Sequence, residues 1–246
     1  MSKPVPLLND KHAKLKVIQS TDYTRYKDSH LIPIIASDFF TLAAEFPLVF
    51  VKDSKAGEFV AVAIMGLREG QNLYCQTERW KAQVTPISFA NAPLAIARVD
   101  SNDDQYAVLV DEDSPLLSQS EGEALFTESG EKTPFLERKI DAMLNVKQQA
   151  ENTRKVCKIL AEKGLLVEQK LQLQLPGSSD APSYNINGIY TVSEEALNGL
   201  SDEDFLQLRR KGLLPLIFSH LTSLQQLRRI SAMQYEADKL AAAESK

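Results

Sequence analysis

An α+β fold is what the sequence predicts: a strand-rich N-terminal half with a mixed or antiparallel sheet, then a helix-rich C-terminal half with one additional hairpin. Three observations predict it. Short apolar runs at residues 48–51 and 59–64, and again at 93–99 and 105–110, are separated by polar, turn-forming loops, the pattern of hairpins. A long helical pattern opens at Thr133-Pro134 and closes at Gly164. Beyond it Leu171, Leu173 and Leu175 alternate with Gln172 and Gln174, and residues 184–192 return as a second strand.

Taken in order, the chain opens with a polar segment carrying Pro4 and Pro6, expected to be extended and loosely held. An apolar group at 30–35 leads to Ser37, a candidate N-cap for a short helix over 38–45 that Pro47 stops. The run at 59–64 is almost continuously apolar, which suits a strand buried on both faces. Gly66 and Gly70 bracket a turn ahead of a short strand at 72–75. Residues 78–92, with the sole tryptophan Trp80, have no clear period and read as irregular or as a poorly patterned helix. The loop at 100–104 closes the second hairpin. Ser120 and Glu123 show capping-box spacing, which predicts a short helix ending near Thr127.

In the long helix, Leu136, Ile140, Met143 and Leu144 share a face that Val156 and Leu160 resume. A flexible loop is expected at 176–182, and Gly188 is a candidate bulge in the returning strand. Ser193 and Ser201, each followed by acidic residues, read as helix N-caps. A last core helix runs from Pro215 with Leu213, Ile217, Leu221, Leu224 and Leu227 along one face. The expected organisation is a single domain over 30–235, divisible into lobes 30–127 and 133–235 at a polar seam over 128–132. Tails at 1–29 and 236–246 flank it, the second helix-prone but unanchored.

The net charge of −5 does not favour a nucleic-acid surface, since phosphate contacts need clustered Lys and Arg. The basic group Arg209-Arg210-Lys211 falls at a helix end, where the dipole accounts for it. No window is apolar enough for a membrane span, and the first residues lack the core of a secretory signal. Cys75 and Cys157 stand far apart without a CxxC pair, so reduced thiols in a cytoplasmic protein are the expectation. No cofactor and no metal site are expected. Asp111, Glu112 and Asp113 lie on an extended segment that splits them between opposite faces, and a turn before a helix accounts for them. Cys75 has no basic neighbour to activate it and reads as a buried thiol.

Three histidines bound the acid–base chemistry. His220 lies on the apolar face of the last helix, with Ser219 and Ser223 beside it, and is either a core histidine satisfied by a backbone carbonyl or a functional one. His30 precedes an apolar segment with Glu45 downstream, a pair able to move protons, although packing at a helix entry also explains it. His12 belongs to the tail and is expected to be solvated. Tyr74 and Trp80, set among Gln76, Thr77, Glu78, Arg79 and Gln83, suit sugar or peptide binding, while core packing of the tryptophan is the competing reading.

An ordered series of stretches runs along the chain: Gly66-Leu67-Arg68-Glu69-Gly70-Gln71-Asn72-Leu73-Tyr74 followed by Trp80 and Pro86, then Leu125-Phe126 with Gly130, then Gly188-Ile189-Tyr190-Thr191-Val192. The series ends in Leu216-Ile217-Phe218-Ser219-His220-Leu221-Thr222-Ser223-Leu224. Together these stretches resemble the SapC-like family. Ala92-Pro93 stands where the family pattern leads one to expect an aromatic before the proline. The resemblance implies a bacterial accessory protein associated with surface-layer loci or with nutrient uptake through TonB-type receptors. It further implies a flavin-dependent halogenase-like or cupin-like protein as partner, and no particular reaction. The expected function is therefore a non-catalytic binding protein using Tyr74, Trp80, His220 and His30 for a sugar, a peptide or a partner protein. The alternative is a hydrolase or transferase using a histidine acid/base.

Overall fold

The computed structural model describes residues 4–53, 56–99, 106–173 and 183–244. The loops expected at 100–104 and 176–182, and the middle of the loop at 52–57, lie outside the described residues. Secondary structure is α+β, and every strand pairing among the described residues is antiparallel. The strands expected at 48–51, 59–64, 93–99, 105–110 and 184–192 all form. Two compact units interleave along the chain: Met1–Thr21 with Ile87–Gln148, and Asp22–Pro86 with Gln149–Lys246. The polar seam at 128–132 lies inside the first unit, because strand pairing and not chain order groups the residues.

The first unit begins with β1 (Val5–Pro6), α1 (Asn9–His12) and β2 (Lys16–Val17). The opening segment is thus not a loose tail. β1 pairs with β7 (Tyr106–Val110), which pairs with β6 (Leu94–Arg98). β2 lies between β8 (Leu117–Ser118) and β9 (Glu123–Ala124). The helix predicted after Ser120 is absent: Glu123 and Ala124 pair with Val17 and Lys16, and Gly122 (φ +100°) turns the chain between the two short strands. A backbone interaction offered by a distant strand outweighs the local capping signal. Val17, Leu94, Val110, Leu125, Phe126, Phe135, Leu136 and Met143 form this unit's core.

The long helix α3 (Pro134–Glu162) starts where expected, with Thr133 Oγ1 accepting from Leu136 N at 3.2 Å. Gly164 (φ +68°) follows its end. Its later core face is Thr153, Cys157 and Leu160, one position round from the Val156 stripe the apolar pattern favours.

The second unit is built on the sheet β10-β11-β4-β5-β3. Its strands are β3 (Leu31–Pro33), β4 (Leu48–Lys52), β5 (Phe59–Ile64), β10 (Leu166–Leu173) and β11 (Tyr184–Val192). β3 is an edge strand, which accommodates Pro33. Ala61 to Ile64 are buried on both faces, as the unbroken apolar run implied. Gly188 (φ +71°) sits in a bulge: Gln169 pairs with Ile189 and Leu171 with Ile186, leaving two residues of β11 against one of β10.

Helix α2 (Asp38–Leu42) is preceded by Ser37, which does not cap it but donates its hydroxyl to Gln149 at 2.8 Å. Asp38 instead accepts from the Ile35 N–H at 3.1 Å. The segment at 72–75 is buried but is not a strand. Leu73 N donates to Met65 O, and Asn72 Oδ1 accepts from Tyr74 N at 3.0 Å, a side-chain turn that displaces ladder pairing.

Ser193 and Ser201 cap α4 (Glu194–Asn198) and α5 (Asp202–Arg210), accepting from Ala196 N at 3.1 Å and Asp204 N at 3.2 Å. Ser201→Ala should lower stability by about 1 kcal/mol. Urea unfolding checks this as a reduced midpoint at unchanged slope. The last helix is two, α6 (Leu214–Ser223) and α7 (Gln226–Glu244). The buried face of α6 is Leu216, Ile217, His220 and Ser223, with Leu221 only half-buried. Residues from 236 continue α7, and Asp238 anchors them through Arg68 (2.7 Å) and the Tyr184 hydroxyl (2.8 Å). No helix among the described residues is long and apolar enough to cross a membrane.

Candidate functional site

The loop from Gly66 to Tyr74 positions the aromatic residues singled out in the sequence, and it is tied down along its length. Leu67 N donates to Gln234 Oε1 (3.2 Å), Gln234 Nε2 donates to Gln71 Oε1 (2.7 Å), and Arg68 reaches Asp238. Fully buried Asn72 gives its N–H to Lys27 O at 2.6 Å. Gly66 permits the closure: a Cβ there would lie 1.7 Å from the Gln71 carbonyl oxygen.

The loop delivers Tyr74 to the interior with no exposed surface. Its hydroxyl donates to Glu45 O at 3.2 Å, and burial pushes its pKa up to about 12. Tyr74 is therefore the floor beneath Trp80, not a contact residue. The rings lie 5.8 Å apart, with Phe46 at 4.7 Å from Tyr74 and 6.2 Å from Trp80. Tyr23 meets Trp80 edge-on at 5.3 Å. The Trp80 N–H is committed to Val84 O at 3.0 Å, while the ring remains half-buried amid exposed Gln76, Thr77, Glu78, Arg79, Lys81 and Gln83. Sequence reasoning missed the charged pair beside them. Glu45, buried under Tyr74, accepts from Arg229 and from Gln83 N, and Arg229 keeps 40% of its side chain exposed. Nothing local links residues 45 and 229, so no sequence signal pointed to this pair.

His220 stands in a different environment. Fully buried beneath the sheet, it packs on Phe50 (5.2 Å between rings), accepts from Val192 N at Nε2 (3.0 Å) and donates from Nδ1 to Leu48 O (2.8 Å). That pairing requires the neutral Nδ1–H tautomer. Burial pushes its pKa down to about 4. His30 is half-buried beside Gly66, its carbonyl accepting from Met65 N, and Glu45 is engaged by Arg229 instead of by His30. The structure thus brings Tyr74 and Trp80 together, while both ring nitrogens of His220 are spent on the backbone.

Two further expectations change. His12 is buried, not solvated: Nδ1 accepts from Leu8 N (2.9 Å), leaving Nε2 to donate to Glu112 (2.8 Å). Lys11 and His12 together hold the Glu112 carboxyl below its ordinary range. Asp111 to Asp113 form a turn ahead of β8, not of a helix, and no metal-binding group of His, Cys, Asp and Glu occurs among the described residues. Cys75 and Cys157 are buried thiols whose pKa values burial raises to about 12 and about 11.

A family model described as SapC matches residues 7–230. The chain belongs to the SapC family. No curated protein and no solved structure matches it. The match takes in every residue of the aromatic cluster, with the 66–74 loop beneath it, but ends before Gln234 and Asp238, the α7 side chains that hold that loop.

Proposed function

We propose that the chain is a non-catalytic accessory protein that binds a sugar or a short peptide over Trp80, in the cytoplasm of a bacterium and in the service of a surface or uptake system. One observation carries the reading: the half-buried indole packs against Tyr74, Phe46 and Tyr23 in a segment of exposed hydrogen-bonding side chains. A fixed aromatic face loses little entropy when a ligand stacks on it, and the Arg229–Glu45 pair adds a donor and an acceptor nearby. The enzymatic alternative has less support, since His220 is held neutral and sealed from solvent. A halogenase-like or cupin-like protein partner belongs to the same reading, by family resemblance.

Trp80 is the only tryptophan, so its emission reports directly on the site. Titration with N-acetylchitotriose, maltotriose and trialanine should produce a saturable change with at least one of them. Trp80→Ala should weaken that binding about tenfold in calorimetry while the circular dichroism of the fold is retained. Absence of binding across all three probes, or unchanged affinity in the variant, would sink the reading.

A further inference from the structure

A concavity separate from the Trp80 cluster lies where residues 57–59, leading into β5, meet the second half of α3, with a volume of about 470 Å³. Phe59 and Ala161 give it an apolar lining, Arg154, Lys155 and Lys158 bring three cations, and Glu58 and Glu162 bring two carboxylates. The charges are unevenly used. Lys158 and Glu162 face each other at 3.8 Å along the helix, whereas Arg154 and Lys155 take part in no ion pair among the described residues. Phe59 is held in place, edge-on to Tyr190 at 4.8 Å with the Lys52 ammonium 5.8 Å from its ring centre. Gly57 lines the same concavity, and its φ of +69° turns the chain into β5.

We infer that this groove binds a small anion with an apolar body, a carboxylate or phosphate attached to an aromatic or aliphatic group. Its volume falls in the range of small-molecule sites. The guanidinium of Arg154 and the ammonium of Lys155 recognise the anionic end, Arg with a planar fork suited to both oxyanions. Phe59 and Ala161 carry the apolar end. The site is independent of Trp80 and survives failure of the sugar or peptide reading.

The test uses the full chain with three probes: N-acetyl-phenylalanine, phenyl phosphate, and the neutral N-acetyl-phenylalaninamide. Backbone amide resonances of Phe59, Arg154 and Ala161 should move on titration with the anions, and the neutral amide should bind about fivefold more weakly or worse. The tighter of the two anions identifies which oxyanion the groove prefers. Replacing both cations (Arg154→Gln with Lys155→Gln), at exposed positions, should remove the preference for the anion, and Trp80→Ala should leave it intact. No movement at those three residues at millimolar probe, or an acid that binds no better than its amide, overturns the inference.

Discussion

His220→Leu is expected to lower stability by about 2–4 kcal/mol, seen as a reduced urea midpoint. The histidine joins three elements, α6 through its own backbone, β11 through Val192 N and β4 through Leu48 O. Leucine fills much of the volume but strands the Val192 N–H, while the Leu48 carbonyl keeps only a long contact to Ser223 Oγ at 3.5 Å. The pH dependence is a second, sharper signature. The folded pKa is about 4 against an ordinary 6.5, so the unfolded chain binds the proton first as pH falls. The stabilisation from a neutral His220 is complete above pH 6.5 and drains away as pH drops to about 4, amounting to about 3 kcal/mol. His220→Gln has no such titration, so its stability deficit relative to the parent should shrink over that window. A deficit that stays constant from neutral pH to pH 4 would show that His220 is not held neutral.

Gly66→Ala should be comparably damaging, about 3 kcal/mol, for a steric reason. The added methyl would sit 1.7 Å from the Gln71 carbonyl oxygen and 2.9 Å from its carbon, both backbone atoms that cannot swing aside. Because the same loop delivers Tyr74 beneath Trp80, opening it should also shift tryptophan emission to the red. Gly70→Ala provides the control: Gly70 has φ +75° but open space around it, so only the left-handed backbone is penalised, at about 1 kcal/mol. Equal losses in the two variants would assign the effect to backbone conformation and remove the close approach as its cause.

The parts of the fold that were legible in the sequence are those whose cause is local. Thr133-Pro134, Ser193 and Ser201 mark helix starts through their own hydroxyls, Gly188 supplies the φ of a bulge, and the apolar runs of β4 and β5 need no context. What was hidden depends on distant partners. β1 and β2 are two-residue strands with no period of their own, and Glu123 reads as a helix residue until Val17 is set against it. The polar interior of α6 and α7, with His220, Ser223, Ser231 and Gln234 buried, breaks the apolar stripe on which a face assignment depends. At the candidate site the Tyr74–Trp80 pair was visible as aromatics in a polar segment, but Arg229 was not. Arg154, Lys155 and Lys158 carry no local signal that residues 57–59 stand opposite them.

The interleaving of the two units also sets an order of events during synthesis. Lys16 finds its partners only at Ser118 and Ala124, and Val51 pairs with Ile189. At translation rates of roughly 5–20 residues per second, β2 waits on the order of ten seconds for the strands that flank it. Residues 22–86 are made in that interval, yet the unit they belong to is completed only by the last 98 residues, 149 to 246. Neither unit can finish before the other has begun. No single cut in the chain yields two pieces that each hold a whole unit: a cut after residue 148 keeps the first unit whole and a cut after residue 21 keeps the second, but each splits the other.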